Sequence, residues 1–272
     1  MSERVTITIK DFVADVRMSR PEKMNAIDAD MFAGLTQAGL ELAANKSVRA
    51  VVLSGEGRAF CAGLDFTSFQ AMAGRGERVA AEAGALISEK DQESPANRAQ
   101  RAAFIWTELP VPVIAAIHGV AFGGGLQIAM GADIRFIAPD ARMSVMEIKW
   151  GLVPDMSGTQ TLRRVARLDV IKELTYTGRI VTGAEAVELG LATRVTDDPY
   201  AAAMALAKEI AGKSPDAVRA AKKLLNASGL VSLAEGLKME ADLQRSIIGK
   251  PNQAEAVKSN LENRPPNFAD VE

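Results

Sequence analysis

Pro112-Val113-Ile114-Ala115-Ala116-Ile117-His118-Gly119-Val120-Ala121-Phe122-Gly123-Gly124-Gly125-Leu126-Gln127-Ile128-Ala129-Met130 is the stretch on which the fold turns. Residues 112–117 form a short apolar run of the length and composition of a buried strand. The run opens into glycines, a helix is expected over 126–130, and a second strand over 134–138 follows directly. Strands alternating with helices, with strand ends opening into glycine turns, predict an α/β fold.

Upstream, residues 6–9 and 12–17 read as a hairpin, 28–44 have helical spacing through Met31, Leu35, Ala38 and Leu42, and 50–53 form a short buried strand. A glycine-rich turn over 54–58 then leads into Ala59-Phe60-Cys61-Ala62-Gly63-Leu64-Asp65. Residues 66–95 are rich in alanine, glycine and charge, and 96–109 read as a helix stopped by Pro110. After about Thr196 only helices are expected, over 199–211, 215–227, 230–248 and 252–263. No Pro- or Ser-rich linker separates these helices from the α/β part. The domain expectation is therefore a core over 1–196 and a helical region over 197–272.

Composition narrows the chemistry. Among 272 residues, 32 Lys+Arg face 34 Asp+Glu, which leaves no basic footprint for nucleic acid. One Cys and one His exclude an intramolecular disulfide and a typical zinc site, so no metal is expected. Any Ser-His or Cys-His catalysis would have to run through His118, so carboxylates and backbone amides are left to carry a reaction. No apolar run approaches the roughly 18 residues of a membrane span, and the alternating start does not read as a signal peptide. A cytoplasmic setting without membrane contact is expected.

Gly123-Gly124-Gly125 at a strand-to-helix junction lets backbone approach a ligand beside the positive end of a helix dipole, which suits an anion or a developing oxyanion. It completes neither G-x-G-x-x-G nor a Walker loop. Ala62, in the turn after Phe60, is the expected second amide donor of an oxyanion hole. Glu147 and Asp155 flank a turn containing Gly151 and Pro154, which can bring both carboxyls to one wall. Taken alone, Glu147 reads equally as a surface charge and Asp155 as a helix cap. His118 reads as structural, Cys61 as core filler, and Ser157 lacks a nucleophile elbow. Arg20, Lys23 and Arg58 read singly as solvated surface.

Taken together, Arg20-Pro21-Glu22-Lys23-Met24-Asn25-Ala26, residues 57–65, residues 112–125, Gly151-Leu152-Val153-Pro154 with Gly158-Thr159, and Thr177-Gly178-Arg179 resemble the crotonase superfamily, the enoyl-CoA hydratase/isomerase family. The resemblance spans roughly residues 4–265. It implies a crotonase-like ββα spiral with a C-terminal α-helical region that serves oligomerisation and covers the site, assembled as a homotrimer or a hexamer. It also implies an acyl-CoA thioester substrate, with coenzyme A part of the substrate and no separate cofactor. The thioester oxygen would lie between the amides of Ala62 and Gly124, and Lys23, Ala62, Gly63 and Leu64 would contact CoA.

The departures bear on the reaction. Family hydratases carry two glutamates; here the first position is Gln127 and the second Glu147, and a Gln can hold water but cannot exchange a proton at neutral pH. Asp155 stands where many hydratases have glycine. An acid there resembles the dienoyl-CoA isomerase branch, although that branch tends to have Asp at the Gln127 position. Double-bond movement by Glu147 and Asp155, with Gln127 orienting substrate or water, is the expected reaction. The alternatives are hydration by Glu147 alone and a non-catalytic fold that binds RNA or a protein partner. Phe69, Met72, Leu86 and Ile87 are expected to line the acyl pocket.

Overall fold

The computed structural model describes residues 4–65 and 94–271; the acyl-pocket candidates Phe69, Met72, Leu86 and Ile87 lie outside them. The expected hairpin is present as β1 (Val5–Lys10) and β2 (Val13–Met18), paired antiparallel from Val5 opposite Met18 to Lys10 opposite Val13. After α1 (Ala29–Ala44), β3 (Ala50–Gly55), α2 (Arg98–Glu108), β4 (Val113–Ile117), β5 (Val120–Phe122), α3 (Gly124–Met130), β6 (Ile134–Ile137) and β7 (Arg142–Ser144) follow in order. Then come α4 (Gly158–Leu162), α5 (Leu168–Thr177), β8 (Val181–Thr182), α6 (Gly183–Glu188) and β9 (Arg194–Val195). Helices α7 (Pro199–Ala211), α8 (Pro215–Ala227), α9 (Leu233–Ile247) and α10 (Pro251–Leu261) complete the described chain.

The large sheet has the order β1-β2-β3-β4-β6-β9, parallel from β2 onward, and β5-β7-β8 form a second, smaller sheet. From β4 on, successive turns of the chain lay one strand in the large sheet and the next in the small one, as β4–β5 and β6–β7 do. This is the expected ββα spiral. Strands β3 and β4 are buried on both faces, which is why their sequences run apolar without alternation. One face packs against α1, α2 and α3; on the other, Val52, Ile114 and Phe136 meet Ala203, Ala207 and Ala211 of α7. The small side chains of that alanine stripe let the helix lie close to the sheet.

Helix starts follow their caps. Asn97 and Gln100 form a reciprocal capping box, so α2 begins at Arg98, and Ser232 with Glu235 does the same for α9, later than the apolar pattern suggested. Strand β5 occupies the start of the stretch expected as a glycine turn, and α3 begins at Gly124 instead of 126. The two-residue strands β8 and β9 and the short helices α4 and α6 carry too few residues to show a period. Helix α8 is tied to the core by buried Lys222, whose Nζ donates to Trp106 O (3.1 Å) and Val111 O (2.9 Å) and pairs with Asp133 (2.8 Å). Helix α9 buries none of its residues, and Leu225, Leu233, Leu237 and Leu261 on α8–α10 are exposed. No helix among the described residues is long and apolar enough to cross a membrane.

Candidate active site

The spiral brings the start of α3 against the loop 61–65. Cys61 N donates to Val120 O and Phe122 N to Cys61 O, which continues the small sheet's pairing into the loop. Gly123 adopts φ 51°, ψ −121°, a conformation only glycine holds without strain, and it turns the chain from β5 into α3. Gly125 is required for contact: a Cβ there would lie 2.3 Å from Cys61 O. Because the neighbour is backbone and cannot step aside, Gly125→Ala is expected to lower Tm by about 5 °C in a thermal melt.

Ala62 is not an available donor. Its N–H donates to Met24 O at 2.9 Å, within a zipper that also joins Ile27 N to Gly63 O (2.8 Å) and Asp65 N to Ile27 O (3.0 Å). The amide this pattern leaves without an acceptor among the described residues is that of Leu64, two residues on. Gly124 N, at the first position of α3, has no intrahelical acceptor either. The two turns are adjacent, since a Cβ built on Gly63 would lie 3.7 Å from Gly124 N. The expected pair of amides is therefore corrected from Ala62 and Gly124 to Leu64 and Gly124.

Gln127, one turn into α3, is 1% exposed and every hydrogen bond to its carboxamide oxygen is accounted for. Oε1 accepts from Met156 N and Gly158 N, both at 2.8 Å. Backbone N–H groups only donate, so the oxygen must face them and the NH₂ must face Glu147, where Nε2 donates to Oε1 at 2.6 Å. Gln127 thus binds together α3, Glu147 and the segment after Asp155. Its oxygen is taken by two amides and one Nε2 hydrogen by Glu147, which leaves the second Nε2 hydrogen as the group that could hold water or substrate. Gly158 is glycine for the same reason: a Cβ there would lie 2.6 Å from Gln127 Oε1.

Glu147 opens a 3-10 turn (Glu147–Trp150) that ends at Gly151 with φ 69°. It is 9% exposed, lies beside Gly123, and its Oε2 has no hydrogen-bond partner. Burial pushes its pKa up, and the Asp155 charge adds to this against its hydrogen bonds to backbone and Gln127. Since Oε1 must accept from Gln127, a proton on Glu147 resides on Oε2. Asp155 as a residue is exposed, but protein crowds its carboxyl enough to raise the pKa, by burial first. Burial thus raises the pKa of both carboxyls, and Gln127 ties Glu147 to the segment that follows Asp155.

Of the expected CoA contacts, Lys23 is exposed, Ala62 and Leu64 are half-buried and Gly63 is buried. His118 Nε2 meets Gly57 O at 3.0 Å, and burial raises the Cys61 thiol pKa to about 12, so both read as structural. No cluster of three or more metal-ligating side chains occurs among the described residues. Sequence reasoning missed the Leu64 amide and Met156, whose Sδ packs where a Cβ on Gly124 would fall. Neither carries a signal in composition or spacing.

A ββα spiral with two open amides near the buried carboxyl of Glu147 defines a crotonase-fold protein. The family model for enoyl-CoA hydratase/isomerase matches residues 8–271. The putative enoyl-CoA hydratase/isomerase YngF of Bacillus subtilis (strain 168) is 34% identical over 268 residues, 97% of each chain. Mitochondrial methylglutaconyl-CoA hydratase of Mus musculus is 32% identical over 258 residues, 92% of this chain and 77% of its own. The crystal structure of a putative enoyl-CoA hydratase from Streptomyces coelicolor A3(2) has a TM-score of 0.87 at 30% identity, covering 99% and 95% of the two chains. This chain belongs to the enoyl-CoA hydratase/isomerase family.

Proposed function

We propose that the protein is an acyl-CoA isomerase that moves a carbon–carbon double bond by proton transfer. The thioester oxygen accepts hydrogen bonds from the Leu64 and Gly124 amides, which stabilise the enolate formed when a carbon beside the unsaturated system loses its proton. Glu147 Oε2 and Asp155 exchange protons at two positions of the acyl chain, one removing and the other returning, and their roles reverse with the direction of reaction. The observation that carries this reading is the Gln127 clamp. It occupies the third acid position with a group that cannot exchange a proton, and leaves Glu147 and Asp155, both with raised pKa, on the two segments it ties together.

The CoA part would bind along Lys23, Ala62, Gly63 and Leu64, of which Lys23 is the exposed one. Coenzyme A enters only as part of the substrate. The exposed leucines of α8–α10 support assembly of the chain with its own copies as a trimer or hexamer. A second reading, hydration by Glu147 alone, draws support from the names of the hydratase relatives.

The purified protein is expected to isomerise 3-enoyl- or 3,5-dienoyl-CoA faster than it hydrates crotonyl-CoA, followed as loss of enone absorbance. Asp155→Asn is expected to lower isomerisation by about 100-fold. Fast hydration that survives Asp155→Asn and disappears with Glu147→Gln would overturn the two-carboxyl shuttle in favour of the single-carboxyl hydratase.

A further inference from the structure

Leu64 sits on a loop outside any helix or strand, yet its amide must keep a fixed place relative to the rigid start of α3. The loop is held by the turn over residues 20–27. Asn25, fully buried and at φ 55°, donates from Nδ2 to Glu56 O (2.9 Å) and Ala59 O (2.8 Å), while its Oδ1 accepts from Arg20 N (2.8 Å). The Arg20 side chain then reaches across the turn. Its Nη1 donates to Ala26 O (3.1 Å) and to Asp65 Oδ2 (2.5 Å), with Asp28 Oδ2 at 3.4 Å. Asp65 is 3% exposed and directly follows Leu64.

We propose that the Arg20–Asp65 ion pair is a positioning device for the oxyanion hole. Neither residue touches the reacting atoms. The pair straps residue 65 to the 20–27 turn, so Leu64 is fixed between the Gly63 and Asp65 contacts to Ile27 and its N–H stays aligned with that of Gly124. The inference rests on the reading of Leu64 and Gly124 as the oxyanion hole.

Its test uses acetoacetyl-CoA, a 3-ketoacyl thioester whose bound enolate absorbs in the near ultraviolet, beside steady-state isomerisation. The wild type is expected to show the enolate band. Arg20→Met should reduce both the band and kcat by about 30-fold, part of the effect of losing one oxyanion donor, with KM changed less than about threefold. The double variant Arg20→Met/Asp65→Asn removes the Asp65 charge as well but leaves the strap cut, so it should stay as impaired as the single one. Recovery of the wild-type band in the double variant would overturn positioning and leave a purely electrostatic effect. Arg20→Lys keeps the charge but ends one bond short of the Nη1 through which the contacts to Ala26, Asp65 and Asp28 are made, and it serves if Arg20→Met does not fold; an undiminished band there also overturns the proposal. Absence of the band in the wild type would instead remove the oxyanion-hole reading itself.

Discussion

Glu147→Gln is expected to lower kcat for isomerisation by about 1,000-fold while raising the thermal stability of the protein above neutral pH. Activity falls because Oε2, the atom that carries the proton, is replaced by a group that cannot exchange one. Stability rises because a carboxylate 9% exposed with an unpartnered oxygen is costly when ionised. Its folded-state pKa is raised, so the native state binds the proton more tightly than the unfolded chain does. The stabilisation from the protonated form is complete below the ordinary carboxylate pKa and is lost as pH rises through the raised value. A permanently neutral Gln escapes that loss. The Tm difference between variant and wild type should therefore be small near pH 4, grow with rising pH and then level off. A Tm difference independent of pH would show that Glu147 is not the desolvated group, whatever its effect on rate.

The same residue marks the boundary of what the sequence reveals. Strands β3 and β4 and helix α7 are legible because each is set by neighbours within a few positions, an apolar run or an alanine stripe; the caps of α2 and α9 are equally local, but the apolar pattern alone puts those helix starts at 96 and 230. Glu147, Asp155 and Gly124 are legible by residue type and by resemblance. Ala62 and Leu64 are different, since both are unremarkable loop residues and what separates them is one backbone hydrogen bond to Met24, far upstream in the chain. Gln127 falls between these cases. Its inability to exchange protons follows from chemistry alone, but its partners Met156 and Gly158 lie on a segment that only the folded chain brings to it.

Gln127→Glu is expected to add crotonyl-CoA hydration at least about 100-fold above the parent level and to shift the pH profile of isomerisation, because it restores a second proton-exchanging group. One oxygen of a glutamate at this position can still accept from Met156 N and Gly158 N, so the loop carrying Asp155 stays in place. The other oxygen then faces Glu147 Oε1, where the amide nitrogen now stands at 2.6 Å. Two carboxylates at that separation cannot both be ionised, so they share one proton and titrate as a pair with widely separated apparent pKa values. The pair then holds an acid and a base together, the requirement for placing water across a double bond. The pH–rate profile should broaden or split accordingly, with its upper limb displaced to higher pH. Gln127→Ala provides the contrast: it unties both amides and Glu147 at once, so isomerisation should fall by about 100-fold with no hydration gained. If Gln127→Glu leaves the reaction and the pH profile of the parent unchanged, the carboxamide clamp is not what separates this chain's chemistry from that of a two-glutamate hydratase.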